Sequence, residues 1–317
     1  ANGLREVAAL PDPVGRLIEE RTRPNGLKLS KVASPIGVIV IIYESRPNVT
    51  VDAAGLCFKS GNATILRGGK EAIHSNQIIA KIMVEAAAGA LPAFPADAIQ
   101  VVPTTDRGAI PELLSLTRFV DLCIPRGGES LIRAVTECSH VPVIKHYKGV
   151  CHVYIDADAD AAMAEEIVFN SKVHRPGVCN AAETLLVDKS VATDVLPRLA
   201  KRLTKANVEL RGDKPTQALL DGSGVEVTPA SAADWDEEYL DLVLSVKIVD
   251  GVGESIEHIN THGSGHTETI VTGDSAAAKR FQTEVDSSTI FWNASTRFND
   301  GMEFGMGAEI GISPDKI

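Results

Sequence analysis

Short apolar runs alternate with segments of helical periodicity along the first half of the chain. The predicted strands cover residues 38–45, 64–67, 99–102, 120–125, 141–145 and 152–155. Between them, apolar residues at helical spacing predict helices at 51–59, 76–88, 110–116 and 130–138. Strands that alternate with helices across short glycine turns are typical of a largely parallel sheet covered on both faces. The predicted fold class is therefore α/β.

The same alternation continues with longer elements after Asp156. Helices are predicted at 161–170, 193–205 and 276–283 and around Ile256, and strands at 183–187, 243–249, 269–271 and 289–292. An irregular loop is predicted at 171–180, and a glycine-rich irregular stretch follows the last strand at 301–311.

Residues 17–32 form a separate pattern ahead of the first core strand. Pro24-Asn25-Gly26 lies between two arms of alternating polar and apolar residues. Asn-Gly between extended arms predicts a β-hairpin. Two interpretations stay open: the hairpin pairs with the sheet edge of another subunit, or it is a plain surface hairpin.

Composition narrows the class of protein. The 317 residues predict two domains or one large α/β unit. A net charge of −11 argues against nucleic acid as a partner, because an acidic chain neutralises phosphates poorly. The sequence has no apolar run long enough to span a membrane and no signal-peptide pattern. Its five cysteines are irregularly spaced, which predicts reduced thiols and a cytoplasmic location. Since the first residue is not Met, a fragment or a processed product is expected.

One cysteine has the surroundings of a nucleophile. Cys179 follows a Pro-Gly turn and lies between Arg175 and Asn180 in the sequence. A polar and partly cationic setting favours the thiolate, which is the reactive form of cysteine. The alternative is a buried structural cysteine in a loop.

Two glycine-rich turns are candidates for anion binding. Arg67-Gly68-Gly69-Lys70 and Arg126-Gly127-Gly128-Glu129-Ser130 each follow a predicted strand and precede a predicted helix. Backbone N–H groups at a helix N-terminus bind phosphates. Neither standard nucleotide fingerprint is present, so plain turns are an equal alternative.

No metal site is predicted. The triplet Asp156, Asp158 and Asp160 lacks the later residues of a calcium loop and predicts a helix N-cap instead. His258, His262 and His266 are spaced four apart, but Gly263-Ser264-Gly265 breaks the helix between the last two.

Six segments together resemble a known family. They are 43–50 (YESRPNVT), 66–71 (LRGGKE), 124–128 (IPRGG), 150–154 (VCHVY), 175–180 (RPGVCN) and 293–298 (NASTRF). In this order they resemble the γ-glutamyl phosphate reductases, which belong to the aldehyde dehydrogenase superfamily and also form one half of pyrroline-5-carboxylate synthase. The resemblance extends from about Asp12 to the last residue.

The resemblance implies an activity. It is the NADPH-dependent reduction of L-glutamyl 5-phosphate to L-glutamate 5-semialdehyde and phosphate, the second step of proline biosynthesis from glutamate. By resemblance Cys179 is the nucleophile and forms a thioester. Its backbone N–H and the side chain of Asn48 are the implied oxyanion donors. Residues 145–149 lack the water-activating Glu of hydrolytic relatives, which favours reduction.

The resemblance also implies binding residues. A Lys at position 70, where relatives often carry a ribose-binding Glu, favours the 2′-phosphate of NADPH. The implied cofactor residues are Arg67, Gly68, Gly69, Lys70, Gly127, Gly128, Ser130 and Glu238. The implied substrate residues are Arg46, Arg175, His266 and Arg297. The three arginines suit this substrate, because Arg binds both carboxylate and phosphate.

The implied architecture is a Rossmann-type parallel-sheet cofactor domain at 1–147 and an α/β catalytic domain at 148–300, followed by a return segment at 301–317. A protruding oligomerisation hairpin is expected around 17–33. The resemblance also implies a homo-oligomer, dimer or tetramer, with glutamate 5-kinase as a functional partner. Relatives carry further segments at both ends, and the segment at the carboxyl end helps to build their oligomerisation region. Two alternatives stay open: another acyl-reducing relative of this superfamily, or a truncated non-catalytic nucleotide-binding or assembly module.

Overall fold

The chain folds into two compact units in the computed structural model, which describes residues 2–44 and 46–315. The first unit contains the residues up to Lys145 together with Gly305–Ile312. The second contains His146–Phe304 and the segment that begins at Ser313. The division after Lys145 lies close to the boundary that the sequence predicts after residue 147. Within the predicted return segment, only 305–312 joins the first unit.

The first unit is built on a four-stranded parallel sheet. The strands of this unit are β1 (Leu17–Thr22), β2 (Lys28–Val32), β3 (Val38–Tyr43), β4 (Ala63–Arg67), β5 (Ile99–Val101) and β6 (Leu122–Arg126). Its helices are α1 (Asn2–Ala9), α2 (Pro47–Lys59), α3 (Ile73–Ala90), α4 (Ala109–Leu114) and α5 (Glu129–Cys138).

Strand β3 explains the continuous apolar run in the sequence. Ile39 and Ile41 pack into one buried cluster, whereas Val40 and Ile42 pack into another on the opposite face. Since successive side chains point to opposite faces, a strand covered on both sides must be apolar at every position.

The strand order β5-β4-β3-β6 contains a change of direction. The chain proceeds from β3 to β4 and β5 on one side, and then returns to place β6 on the other side of β3. In open α/β sheets, ligands bind outside the carboxyl ends of the strands at this kind of switch point. Both glycine-rich turns begin at this edge, directly after β4 and β6.

The predicted hairpin is confirmed. Strands β1 and β2 pair antiparallel, and Gly26 has a positive φ of 86° in the turn between them. All six residues of β1 are exposed.

The second unit contains a seven-stranded sheet with every pair parallel, in the order β10-β9-β11-β8-β7-β12-β13. Its strands are β7 (Cys151–Ile155), β8 (Ala182–Asp188), β9 (Glu209–Gly212), β10 (Val227–Pro229), β11 (Val243–Val249), β12 (Thr267–Val271) and β13 (Thr289–Trp292). Its helices are α6 (Ala161–Val173), α7 (Ala192–Lys205), α8 (Lys214–Leu220), α9 (Gly251–His262) and α10 (Ser275–Glu284).

Both faces of this sheet are buried. Val153 and Leu185 pack with α6 and α7 on one face, and Tyr154 and Leu186 pack with α9 and α10 on the other. The side chains of β7 and β8 therefore alternate between the two layers.

Several sequence predictions are wrong in detail. Residues 141–145 form no strand but a single bridge between Cys123 and Val143, since Pro142 has no N–H to donate to a ladder. Helix α2 begins at Pro47 rather than residue 51, because proline is well placed in a first helical turn. Helix α6 continues to Val173, so the predicted loop at 171–180 starts later. Among the described residues no helix is long and apolar enough to cross a membrane.

Candidate active site

The segment that carries Cys179 lies at the amino edge of the second sheet. We call residues 174–181 the cysteine loop; it connects α6 to β8. Across the sheet, β7 pairs with β8 and β12 pairs with β7. The loop therefore lies beside the first residues of three parallel strands. Cys179 itself is half-buried. Strand β8 thus fixes the loop at one end and helix α6 fixes it at the other.

The backbone before β7 touches the backbone of the cysteine loop. A Cβ atom on Gly149 would overlap the carbonyl oxygen of Cys179, so only glycine permits this approach. The Cys151 thiol donates to the same carbonyl oxygen, with 3.2 Å between Sγ and O. The position of the candidate nucleophile is therefore set by backbone contact as well as by the two flanking elements.

Arg175 belongs to the cysteine loop, and Arg297 contacts the loop through its side chain. The Arg297 side chain donates to Asn180 Oδ1, and Asn180 Nδ2 donates to the backbone oxygen of Asn299 at 2.9 Å. Burial lowers the pKa of Arg297, and the nearby charge of Arg175 lowers it further. The two positive charges of Arg175 and Arg297 repel each other. An anionic group bound here would relieve that repulsion and be stabilised by both charges.

A buried histidine lies at the start of β12. His266 Nδ1 is 2.7 Å from Thr267 Oγ1, which also accepts a hydrogen bond from Asn299 Nδ2 at 2.7 Å. Burial lowers the pKa of His266 to about 4, so the ring is uncharged at neutral pH. Its Nε2 atom is buried and has no hydrogen-bond partner among the described residues. An unsatisfied buried polar atom calls for a ligand or water.

Glu238 also belongs to this region of the second unit. Its Oε1 accepts the N–H of Gly149 at 2.8 Å, and the side chain is half-buried. The structure therefore brings together five predicted site residues, namely Cys179, Arg175, Arg297, His266 and Glu238.

Sequence reasoning missed a buried ion pair at the base of the cysteine loop. Lys172 Nζ and Glu183 Oε2 are 2.6 Å apart, and both side chains are fully buried. Burial raises the pKa of Glu183 to about 7 and lowers the pKa of Lys172, while each charge favours the other. The signal available in the sequence was that Lys172 is the one charged residue of 167–173 and Glu183 the one charged residue of 181–187.

The glycine turns lie at the carboxyl edge of the first sheet. A Cβ atom on Gly68 would overlap the amide of Asn76, and one on Gly127 would be 2.8 Å from the Glu44 carboxyl carbon. Gly128 is the N-cap of α5, and no side chain among the described residues caps that helix. Backbone N–H groups at this edge are thus available to an anion such as a pyrophosphate.

The remaining predicted cofactor residues differ in exposure. Lys70 and Ser130 are exposed, and Gly69 precedes the short turn Lys70–Ala72. Arg67 is instead buried, and its guanidinium donates to the backbone oxygen of Thr105 at 2.9 Å. Arg67 therefore holds the segment after β5, and its predicted contact with the cofactor stays a prediction.

The predicted substrate residue Arg46 and the predicted oxyanion donor Asn48 also belong to the first unit. Arg46 and Asn48 lie at the start of α2, and both are exposed. Asn48 Nδ2 is 3.5 Å from Asp52 Oδ2, which is a weak contact. Their roles beside the substrate stay predictions.

The second unit also contains polar residues that the predicted chemistry does not use. Asp160 accepts from the Met163 N–H and caps α6, as predicted. Helix α9 ends at His262, so the three histidines do not share one helix. Within 2–44 and 46–315, no group of three or more His, Cys, Asp or Glu residues could hold a metal ion.

Comparison with known proteins shows the family of the chain. The sequence profile described as the aldehyde dehydrogenase family matches residues 5–219. A γ-glutamyl phosphate reductase of Opitutus terrae is 56% identical over 318 residues, which cover all of this chain and 74% of that protein. One from Paramagnetospirillum magneticum is 54% identical with the same coverage. The crystal structure of a γ-glutamyl phosphate reductase from Thermotoga maritima superposes with a TM-score of 0.91 at 43% identity, covering 98% of this chain and 74% of that one.

The chain belongs to the γ-glutamyl phosphate reductases of the aldehyde dehydrogenase family. This confirms the resemblance and the fold class that the sequence motifs imply. The oligomerisation role of the hairpin and the roles of individual site residues are not part of that finding.

The buried histidines of this reductase-family chain predict a pH-dependent stability. Burial, together with the neighbouring His152, lowers the pKa of His258 to about 2. Below about pH 6.5 the unfolded chain takes up a proton at this residue that the folded chain does not, so the wild type loses stability as the pH falls. Replacing His258 by Gln removes this proton uptake on unfolding. Urea unfolding between pH 6 and 5 should show a dependence shallower by about 1 kcal/mol per pH unit.

His74→Gln is the control, since the His74 side chain is exposed on α3 and meets water in both states. Equal pH dependence in the wild type and in His258→Gln would contradict the prediction.

Proposed function

We propose that this chain reduces L-glutamyl 5-phosphate to L-glutamate 5-semialdehyde and phosphate with NADPH, the second step of proline biosynthesis from glutamate. The observation that carries the proposal is the cysteine loop. A half-buried Cys179 shares its loop with Arg175, and Arg297 donates a hydrogen bond to the adjacent Asn180, in a chain that is 56% identical to a γ-glutamyl phosphate reductase. Such a site suits an acyl donor that carries negative charge.

In the proposed first step, the Cys179 thiolate attacks the acyl carbon of the substrate. The new C–S bond forms, the C–O bond to phosphate breaks, and the phosphate leaves with the bonding electrons. The Cys179 N–H would stabilise the oxyanion of the tetrahedral intermediate. Asn48 is proposed from the resemblance alone as a second donor.

Arg175, Arg297 and His266 are proposed to bind the substrate. Guanidinium groups match carboxylate and phosphate by paired hydrogen bonds. The uncharged His266 ring has a buried Nε2 atom with no partner among the described residues, which supports a neutral contact to a substrate oxygen. Arg46 is proposed for the same set from the resemblance.

The cofactor fits the carboxyl edge of the first sheet. Gly68 and Gly127 leave space there that a side chain would fill, and the uncapped turn of α5 offers backbone N–H groups. NADPH, when bound, supplies the hydride that reduces the thioester. Gly127, Gly128 and Ser130 would hold the pyrophosphate, and Gly68, Gly69, Lys70 and Arg67 the adenosine side. Glu238 is proposed for the nicotinamide ribose.

The chain also avoids hydrolysis of its own thioester. Residues 145–149 contain no Asp or Glu, so that segment has no carboxylate to activate water. On cleavage of the C–S bond, the cysteine recovers its proton and the aldehyde leaves.

A cytoplasmic homo-oligomer is proposed for the assembly. No disulfide joins the described cysteines, which is typical of a reducing compartment. Ile18 and Leu27 of the hairpin segment are 52% and 54% exposed, so two apolar side chains are available to a second copy. Because a kinase makes an acyl phosphate from a free carboxylate and ATP, glutamate 5-kinase is the proposed functional partner.

The activity is tested in reverse, because the acyl phosphate is labile. The wild type should reduce NADP⁺ in the presence of pyrroline-5-carboxylate and phosphate, followed by nicotinamide absorbance. Cys179→Ala should abolish the signal, whereas Cys138→Ala, at another half-buried cysteine, should retain it. A signal that needs no phosphate would indicate another acyl-reducing relative. No signal from a folded protein that binds NADPH would favour a non-catalytic module.

Lys70 is expected to set the cofactor preference. In the same assay, Lys70→Glu places a carboxylate where the 2′-phosphate of NADP⁺ is proposed to bind. Repulsion should raise the KM for NADP⁺ by about tenfold or more while that for NAD⁺ changes little. Lys81→Glu, at an exposed site on α3, is the matched control. An unchanged ratio of the two KM values would contradict the role of Lys70.

The hairpin is expected to join two copies of the chain. Ile18→Asp places a charge on an exposed strand position, which opposes pairing of the strand with another chain. Sedimentation velocity should show a smaller species than the wild type, and Lys31→Ser on β2 should not. The same sedimentation coefficient for all three proteins would argue for a plain surface hairpin.

A further inference from the structure

The Lys172–Glu183 ion pair joins the two elements that flank the cysteine loop. Lys172 lies in the last turn of α6, and Glu183 is the second residue of β8. Their charged atoms are 2.6 Å apart, and both side chains are fully buried. The pair therefore holds together the two points where the loop leaves the helix and enters the strand.

Stability alone does not require charges at this place. Removing a carboxylate and an ammonium group from water costs several kcal/mol per ion, and apolar side chains of similar volume often stabilise a core as well as the pair does. A buried pair does fix the relative orientation of the two segments that carry it, because a hydrogen-bonded ion pair has a defined geometry.

The second oxygen of Glu183 extends the connection. Glu183 Oε1 accepts from the Leu240 N–H at 3.3 Å, and Leu240 has a positive φ of 53°. The neighbouring Glu238 carboxylate accepts from the N–H of Gly149, whose α-carbon lies against the carbonyl of Cys179. Two carboxyl groups, those of Glu183 and Glu238, thus connect the ends of the cysteine loop to the segment 238–240 and to the backbone before β7.

We infer that Lys172 and Glu183 are positioning residues, which hold the Cys179 thiol and the Glu238 carboxylate in the arrangement that the reaction needs. The inference rests on the proposed function for its kinetic readout, but the reactivity of the thiol can be measured without substrate. Neither residue touches the reacting atoms in this assignment.

The test compares single and double substitutions. Lys172→Met and Glu183→Gln each leave one member of the pair without its charged partner, and both should lower the melting temperature. Lys172→Met/Glu183→Leu removes both charges and should recover much of that temperature, because no charge is left buried alone. All variants carry Cys138→Ala, so that Cys179 is the cysteine most open to alkylation.

Two readouts separate positioning from stability. One is the rate of Cys179 carboxamidomethylation by iodoacetamide, followed by peptide mass spectrometry, and the other is kcat for phosphate-dependent NADP⁺ reduction. We expect the double variant to keep a several-fold altered alkylation rate and a kcat lowered by about tenfold or more, despite its recovered melting temperature. Leu199 is a fully buried residue of α7, and Leu199→Ala leaves a cavity in the core. This control should lower the melting temperature and leave both readouts unchanged.

Wild-type alkylation and kcat in the double variant would overturn the inference. If the double variant does not fold, Glu183→Gln is compared with Leu199→Ala, and equal thiol reactivity in these two would overturn it equally. Failure of the proposed function would appear as no NADP⁺ reduction by the wild type, which leaves the alkylation comparison fully informative.

Discussion

The candidate site depends on one close backbone approach. Gly149 lies against the carbonyl of Cys179, and a Cβ atom at that position would overlap the carbonyl oxygen. The same residue gives its N–H to Glu238, and the Cys151 thiol bonds the same carbonyl. Because two hydrogen bonds and one close approach converge on two backbone segments, the surrounding fold holds the backbone of the cysteine in place. This is the kind of support that a nucleophile needs to stay aligned.

The local charge at the site opposes the charge of the whole chain. The protein carries a net charge of −11, but Arg175 and Arg297 lie close enough to affect each other. Burial keeps His266 uncharged, so the cationic character comes from guanidinium groups that stay charged across physiological pH. In the proposed function, these groups attract an anionic acyl donor locally, although the overall field repels it.

Much of the fold follows from local patterns. The apolar run at β3 and the Asn25-Gly26 turn predicted a buried strand and a hairpin, and both are present. The pattern failed where the segments are short or polar. Strands β9 and β10 and helix α8 were missed, because three to seven residues give too little periodicity. The predicted strand at 141–145 failed because Pro142 cannot donate to a ladder.

The sequence by itself determined the alternation of strands and helices, the family and the identity of the candidate nucleophile. These depend on residue type and on spacing between near neighbours, which the chain carries explicitly. Only the tertiary structure decided that Lys172 meets Glu183, that Arg67 binds the backbone of Thr105, and that Asn180 connects Arg297 to Asn299. Such contacts join residues that are far apart along the chain or on different elements. Their formation depends on strand order and burial, which no local pattern contains.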